Sequence, residues 1–193
     1  MNLVEKAIVF AVKAHEGQQR KLTPIPYILH PVEVAAIIAT MTTDETIIAA
    51  GVLHDTIEDC GVTAEEITEN FGVKVSALVQ SESEDKLSDR PPEETWKERK
   101  EDSLLMLKNT KNLGVKIMWM ADKLSNIRSF YRSYLVEGDA VWSHLNQKDP
   151  RMQGWYYKTV AEYLKEDLGE TAAYNEYCEL VSRVFDHDKE ENK

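Results

Sequence analysis

Cysteine is nearly missing. Only Cys60 and Cys178 occur in 193 residues. Two are too few for a disulfide framework, and neither has a CxxC partner, so a Cys-based zinc site is excluded and a reducing compartment is implied. Long apolar runs are missing as well. None approaches the ~18 residues of a membrane span, and Glu5, Lys6 and Lys13 interrupt the N-terminal pattern, so neither an anchor nor a signal peptide is expected. The expected compartment is the cytoplasm. Basic residues are outnumbered: 23 Lys and Arg stand against 34 Asp and Glu, a formal net charge of -11. That balance excludes a broad basic surface for nucleic acid. An anionic ligand would need a local positive site set against a repulsive global field. Internal repeats and alternating strand patterns are absent too. What remains is 42% apolar and 30% charged residues, an ordinary globular composition. The expectation is one domain over 1–186 and a charged, solvated tail over 187–193. Nothing in the sequence fixes an oligomeric state.

The apolar residues recur at helical spacing almost throughout. Leu3, Ala7, Ile8, Ala11, Val12 and Ala14 mark a first amphipathic helix stopped near Gly17. Gln18 to Pro26 is polar with two prolines and reads as a loop. Pro31 is expected to open a second helix. Glu45 to Glu58 reads as a third, apolar over much of its circumference and therefore central. Thr63 with Glu66 forms a capping box for a short helix ending near Phe71-Gly72, and Val73 to Val79 continues as another. Charges dominate Ser81 to Ser103. That stretch reads as a connection with a helix starting near Pro92, its charged segment Glu82 to Asp102 being taken as a solvated loop. Asn112-Leu113-Gly114 is a break, Val115 to about Leu135 a long helix, and one or two more fall between Met152 and Asp186. The fold class is all-α, a helical bundle.

His54-Asp55 lies at the end of the apolar third helix. Such a pair is costly in a core unless it is paired or metal-bound. Glu58 and Asp59 follow four residues later, so one helical turn would present an imidazole and three carboxylates. Like charges this close call for a cation. His30, at the start of the second helix, and Asp122, inside the apolar stretch Ile117 to Leu124, complete a mixed imidazole and carboxylate set. Such a set suits Mn, Fe or Zn with open positions for water or substrate.

The order His…His-Asp…Asp resembles the HD metal-dependent phosphohydrolases. Three longer blocks sharpen the resemblance: Gly17-Gln18-Gln19-Arg20-Lys21…Pro26-Tyr27…His30-Pro31, then Ala49 to Asp59, then Ala121-Asp122-Lys123-Leu124-Ser125-Asn126-Ile127-Arg128. Over roughly Val4 to Arg128 they are similar to the hydrolase domain of RelA/SpoT enzymes, and most similar to the small alarmone hydrolases of the MESH type. The resemblance implies an HD-domain helical bundle that removes pyrophosphate from the 3′ position of ppGpp or pppGpp with Mn2+ or another divalent ion. His30, His54, Asp55 and Asp122 would then be metal ligands. Glu58 and Asp59 would activate and orient the attacking water. Arg20 and Lys21 would hold the base and a nearby phosphate, and Asn126 and Ser129 would contact the nucleotide. Lys21, Lys123 and Arg128 would supply local positive potential.

The chain departs from the family pattern in places. The loop from Lys21 to Pro26 is one residue longer than in the bacterial bifunctional enzymes. Lys123 stands for the usual Arg, Ser125 for a His or Tyr, and Ser129 for a Thr. These leave the metal chemistry intact and bear on the base. Two rivals therefore accompany the main reading: an HD phosphohydrolase of another nucleotide, such as an adenine alarmone or the 2′-phosphate of NADPH, and a non-catalytic nucleotide sensor. Elsewhere the plainer readings apply. His15 is a helix cap. His144 and His187 are solvated. Cys60 lacks an activating base in sequence. Trp142, Trp155, Tyr156 and Tyr157 belong to a core or interface.

Overall fold

Short polar side chains set where five of the ten described α-helices begin. Asn2 and Thr63 each close a capping box, with Glu5 and Glu66 returning the bond to the cap backbone. Asp44, Asp149 and Thr171 accept from a backbone N–H two or three residues on. Each satisfies a donor that a helix start otherwise leaves open. The computed structural model describes residues 1–21, 23–82 and 89–186. The helices are α1 (Leu3–Ala14), α2 (Leu29–Ile38), α3 (Glu45–Leu53), α4 (Thr56–Cys60), α5 (Ala64–Phe71), α6 (Val73–Glu82), α7 (Pro92–Asn109), α8 (Leu113–Glu137), α9 (Pro150–Leu168) and α10 (Ala172–Phe185), with a 3-10 segment at Gly138–His144. Among the described residues no strand forms beyond an isolated bridge between Gln19 and Pro26. Among the described residues no helix is long and apolar enough to cross a membrane. The all-α expectation therefore holds, and the tail over 187–193 lies outside the described residues.

Two compact units divide the chain. The first comprises the described residues of 1–84 and 112–125. Its centre is α3, which packs on α1, α2 and α6. The contacting residues are small: Ala7 and Ala11 on α1, and Ala49, Ala50 and Val52 on α3, are fully buried. At Gly51 a side chain could not fit without displacement, because a Cβ there would come within 2.2 Å of Ile38 Cδ1. Such close approach suits a core assembled from short helices.

The second unit comprises the described residues of 85–111 and 126–193. There α9 packs on α10 and α7. Aromatic rings fill its interior. Trp142 lies 5.0 Å from Phe130 and 5.8 Å from Phe185 between ring centres. The fully buried Tyr177 donates its hydroxyl to the Tyr157 carbonyl at 2.9 Å. The core or interface reading of Trp142 is a core position. The long helix α8 runs through both units.

Three sequence expectations need correction. The third helix does not continue from Glu45 to Glu58. It ends at Leu53, turns at His54-Asp55 and resumes as α4. Side chains explain the break: Thr56 Oγ1 donates to the Leu53 carbonyl at 2.7 Å and the His54 ring donates to the Gly51 carbonyl at 2.8 Å. These bonds satisfy carbonyls of the last turn locally and compete with its continuation. The second helix starts at Leu29 rather than Pro31. Pro31 still lies in the first turn, where its missing N–H costs nothing. The helix expected near Pro92 forms as α7, but the segment Glu82 to Asp102 is not a solvated loop throughout, because that helix buries Thr95 and Trp96. Residues 83–88 lie outside the described residues.

Candidate metal centre

The break after α3 positions the centre. At the carboxyl end of a buried helix, His54 and Asp55 project from a turn instead of a regular helical surface. His30 comes from the first turn of α2 and Asp122 from α8. His30, His54 and Asp122 are all buried, at 3–6% exposure. Asp55 is half-buried.

The four side chains meet within a few ångströms. His30 Nε2 is 3.1 Å from Asp122 Oδ1 and 3.6 Å from Asp55 Oδ2. His54 Nε2 is 3.0 Å from Asp55 Oδ2 and 3.6 Å from Asp122 Oδ1. The rings of His30 and His54 meet edge to face at 5.1 Å. Ligand atoms of His30, His54 and Asp122 all lie within 4.8 Å of one another. Donor atoms sharing one ion at ~2.1 Å stand roughly 3.0–3.4 Å apart, depending on geometry. Two of the four spacings, 3.0 and 3.1 Å, fall in that range and the other two, at 3.6 Å, lie just beyond it.

One atom tests the fit further. His54 Nδ1 faces the Gly51 carbonyl, which can only accept, so the Nδ1 proton is assigned by its partner. The opposite nitrogen, Nε2, is buried and makes no hydrogen bond. Asp55 Oδ2 lies 3.0 Å away, but with the proton on Nδ1 both atoms can only accept. A buried, orphaned imidazole nitrogen among carboxylates is the donor set a divalent cation would complete.

The electrostatics point the same way. Burial works against charge on His54, but the Asp55 and Asp122 carboxylates outweigh it and raise its pKa well above the usual histidine value. Burial dominates at His30 and lowers its pKa, despite Asp122. Burial disfavours the charged Asp55, yet the His54 and His30 rings hold it below the ordinary carboxylate range. At Asp122 burial is likewise outweighed, first by Lys123 and then by the two histidines. A field that draws a proton onto His54 also draws a metal cation to the same place.

The surroundings hold residues whose roles the sequence did not disclose. Tyr27 donates its hydroxyl to Asp55 Oδ2 at 2.5 Å. Burial, then Asp55, raises the phenol pKa far above its ordinary value, so it stays a donor. His30 Nδ1 lies 2.9 Å from Ser125 Oγ, and Ser125 donates to Glu33 Oε2 at 2.8 Å. Lys123 pairs with Asp122 Oδ2 and covers the Trp119 ring at 4.8 Å. The Glu82 atom Oε1 is buried without a hydrogen bond, and burial raises its pKa well above the carboxylate range against the pull of Lys123. Tyr27, Lys123 and Ser125 fall within the sequence blocks quoted above, whereas Glu33 and Glu82 carry no such signal.

The other expected site residues fall as follows. Glu58 is half-buried and Asp59 exposed on α4, whose Asp59 N–H bonds the Asp55 carbonyl at 2.8 Å and keeps the two one turn apart. The half-buried Arg20 packs its guanidinium over the Tyr27 ring at 5.7 Å, and Lys21 is exposed. Asn126 and Ser129 are half-buried on α8 in the second unit. Arg128 makes a bidentate pair with Glu176, both bonds 2.6 Å, so its charge is already engaged. His15 caps α1, but its ring is buried 3.2 Å from Cys60 Sγ, so Cys60 does have a histidine neighbour.

Comparison with known proteins adds family context. The profile described as HD domain matches residues 7–150. The guanosine-3′,5′-bis(diphosphate) 3′-pyrophosphohydrolase of Vibrio cholerae is 39% identical over 127 residues, covering 65% of this chain and 18% of that protein. The chain spans 10–18% of the length of the first curated relatives it matches. The crystal structure of lmo0812 from Listeria monocytogenes EGD-e has a TM-score of 0.71 at 30% identity, covering 81% of this chain and 99% of that one. A metazoan orthologue of SpoT, described as hydrolysing ppGpp, has a TM-score of 0.74 at 24% identity, covering 95% of both chains, and shows likeness of fold.

Proposed function

The chain belongs to the HD domain family, and on that premise we propose that it is a metal-dependent hydrolase of guanosine 3′,5′-bis(diphosphate) alarmones. It would release pyrophosphate from the 3′ position of ppGpp or pppGpp and leave GDP or GTP. The observation that carries this reading is the cluster of two imidazole nitrogens and two carboxylate oxygens spaced 3.0–3.6 Å apart. The Vibrio cholerae relative, named for this reaction, supports the choice of substrate.

His30, His54, Asp55 and Asp122 would hold one divalent ion, Mn2+ in this proposal. Bound there, the ion would polarise a phosphoryl oxygen and make a bound water more acidic. The chain's own residues do the rest. Tyr27 fixes Asp55 through its hydroxyl, and Lys123 occupies the second oxygen of Asp122, leaving Oδ1 toward the histidines. Glu58 and Asp59 accept the proton of the attacking water from the turn that follows Asp55. Arg20 and Lys21 hold the guanine base and a nearby phosphate. The flat guanidinium of Arg20, already laid over Tyr27, suits stacking on a base. Asn126 and Ser129 contact the nucleotide. The substrate is a small nucleotide and the compartment the cytoplasm.

Product analysis over a nucleotide panel tests the reading. With Mn2+, ppGpp should yield GDP and pyrophosphate in equal amounts. Pyrophosphate from an adenine alarmone, or orthophosphate from NADPH, with ppGpp left intact, would replace it with another substrate. Tight ppGpp binding without any turnover would make the protein a sensor.

A further inference from the structure

Building on the proposed metal centre, we propose that Ser125 and Glu33 are positioning residues that lock His30 in the tautomer with its proton on Nδ1. Ser125 has a single hydroxyl proton, and it goes to Glu33 Oε2 at 2.8 Å. A carboxylate oxygen only accepts, so that bond has one direction. The Ser125 oxygen then has only lone pairs to offer His30 Nδ1, 2.9 Å away. Nδ1 then carries a proton, and Nε2 faces Asp122 Oδ1 at 3.1 Å and Asp55 Oδ2 at 3.6 Å, two acceptors that compete for that proton until a cation lies between them. Ser125 is fully buried, so water does not compete for the bond.

The two histidines reach the same tautomer by different means. His54 is set by a backbone carbonyl, Gly51, which no side-chain substitution removes. His30 is set by two side chains 92 residues apart, on α2 and α8. Without Glu33, the Ser125 hydroxyl is free to turn and donate to Nδ1. The proton would then move to Nε2, blocking the atom that faces the centre. Outer partners of this kind commonly change metal affinity by ~10–100-fold.

The test reads the ring directly. In metal-free protein labelled with 15N-histidine at pH 8, two-bond 1H–15N correlations report which nitrogen of His30 is protonated. Wild type should show the Nδ1–H form. Ser125→Ala and Glu33→Leu should move His30 toward Nε2–H, with His54 unchanged, and weaken Zn2+ binding ~10–100-fold by calorimetry. Glu33→Gln keeps an acceptor oxygen and should restore both readouts. An Nε2–H form in wild type, or an unaltered His30 spectrum in both Ser125→Ala and Glu33→Leu, overturns the lock. Absence of Zn2+ and Mn2+ binding in wild type overturns the metal-centre reading instead, while the tautomer spectra still decide the lock.

Discussion

The two units bury different chemistry. The first packs small aliphatic residues closely and places His15, His30, His54 and Asp122 out of solvent. The second buries Trp142, Tyr156, Tyr174 and Tyr177, and its buried non-aromatic polar residues are the uncharged Thr95, Ser133 and Gln153. Apolar and aromatic burial is favourable by itself. Clustered carboxylates and imidazoles in a core cost free energy unless a partner offsets them. The difference separates a unit whose interior is accounted for by stability from one whose interior holds the candidate metal ligands.

Truncation in the second unit should give the largest effect, and on stability alone. Trp142 touches Phe130, Tyr134 and Phe185 and donates to Asp139 at 3.2 Å. Trp142→Ala should cost about 3–5 kcal/mol by denaturant unfolding. The folded fraction should keep its metal content, since all four proposed ligands lie in the first unit. Loss of metal from folded Trp142→Ala protein would break the division.

The first unit should show the reverse pattern. Glu58→Gln with Asp59→Asn keeps the shape of α4 and removes two negative charges. Turnover of ppGpp should fall ~100-fold or more with metal retained and thermal stability little changed. Turnover near the wild-type rate would assign water activation to another group.

A smaller effect is expected at Arg20, whose guanidinium lies over the Tyr27 ring. Arg20→Ala should raise KM for ppGpp about tenfold and change kcat less, because a base contact acts mainly on binding. A fall in kcat at constant KM would move Arg20 from the base to the reacting phosphate.

Legibility in the sequence follows the same division. The helices were readable because their signals are local: the Asn112 break before α8, Pro92 at the start of α7 and the Thr63–Glu66 box all act within a few residues. His30, His54, Asp55 and Asp122 stood out because each is an ionisable residue in an apolar context. The turn at His54-Asp55 was not readable, since Thr56 and His54 side chains compete for carbonyls that an apolar period would assign to helix. Partnerships across the chain left no local trace. Cys60 meets His15 from 45 residues away, Arg128 meets Glu176 from 48, and Ser125 meets Glu33 from 92. The local positive potential expected of Arg128 is therefore offset by Glu176.

The central claim is that four side chains from three segments hold one ion. Elemental analysis of purified protein after Mn2+ loading and desalting tests it most directly. Wild type should carry about one equivalent per chain, while His54→Ala and Asp55→Ala, folded by circular dichroism, should carry none and be inactive. Full metal content in both variants would contradict the claim.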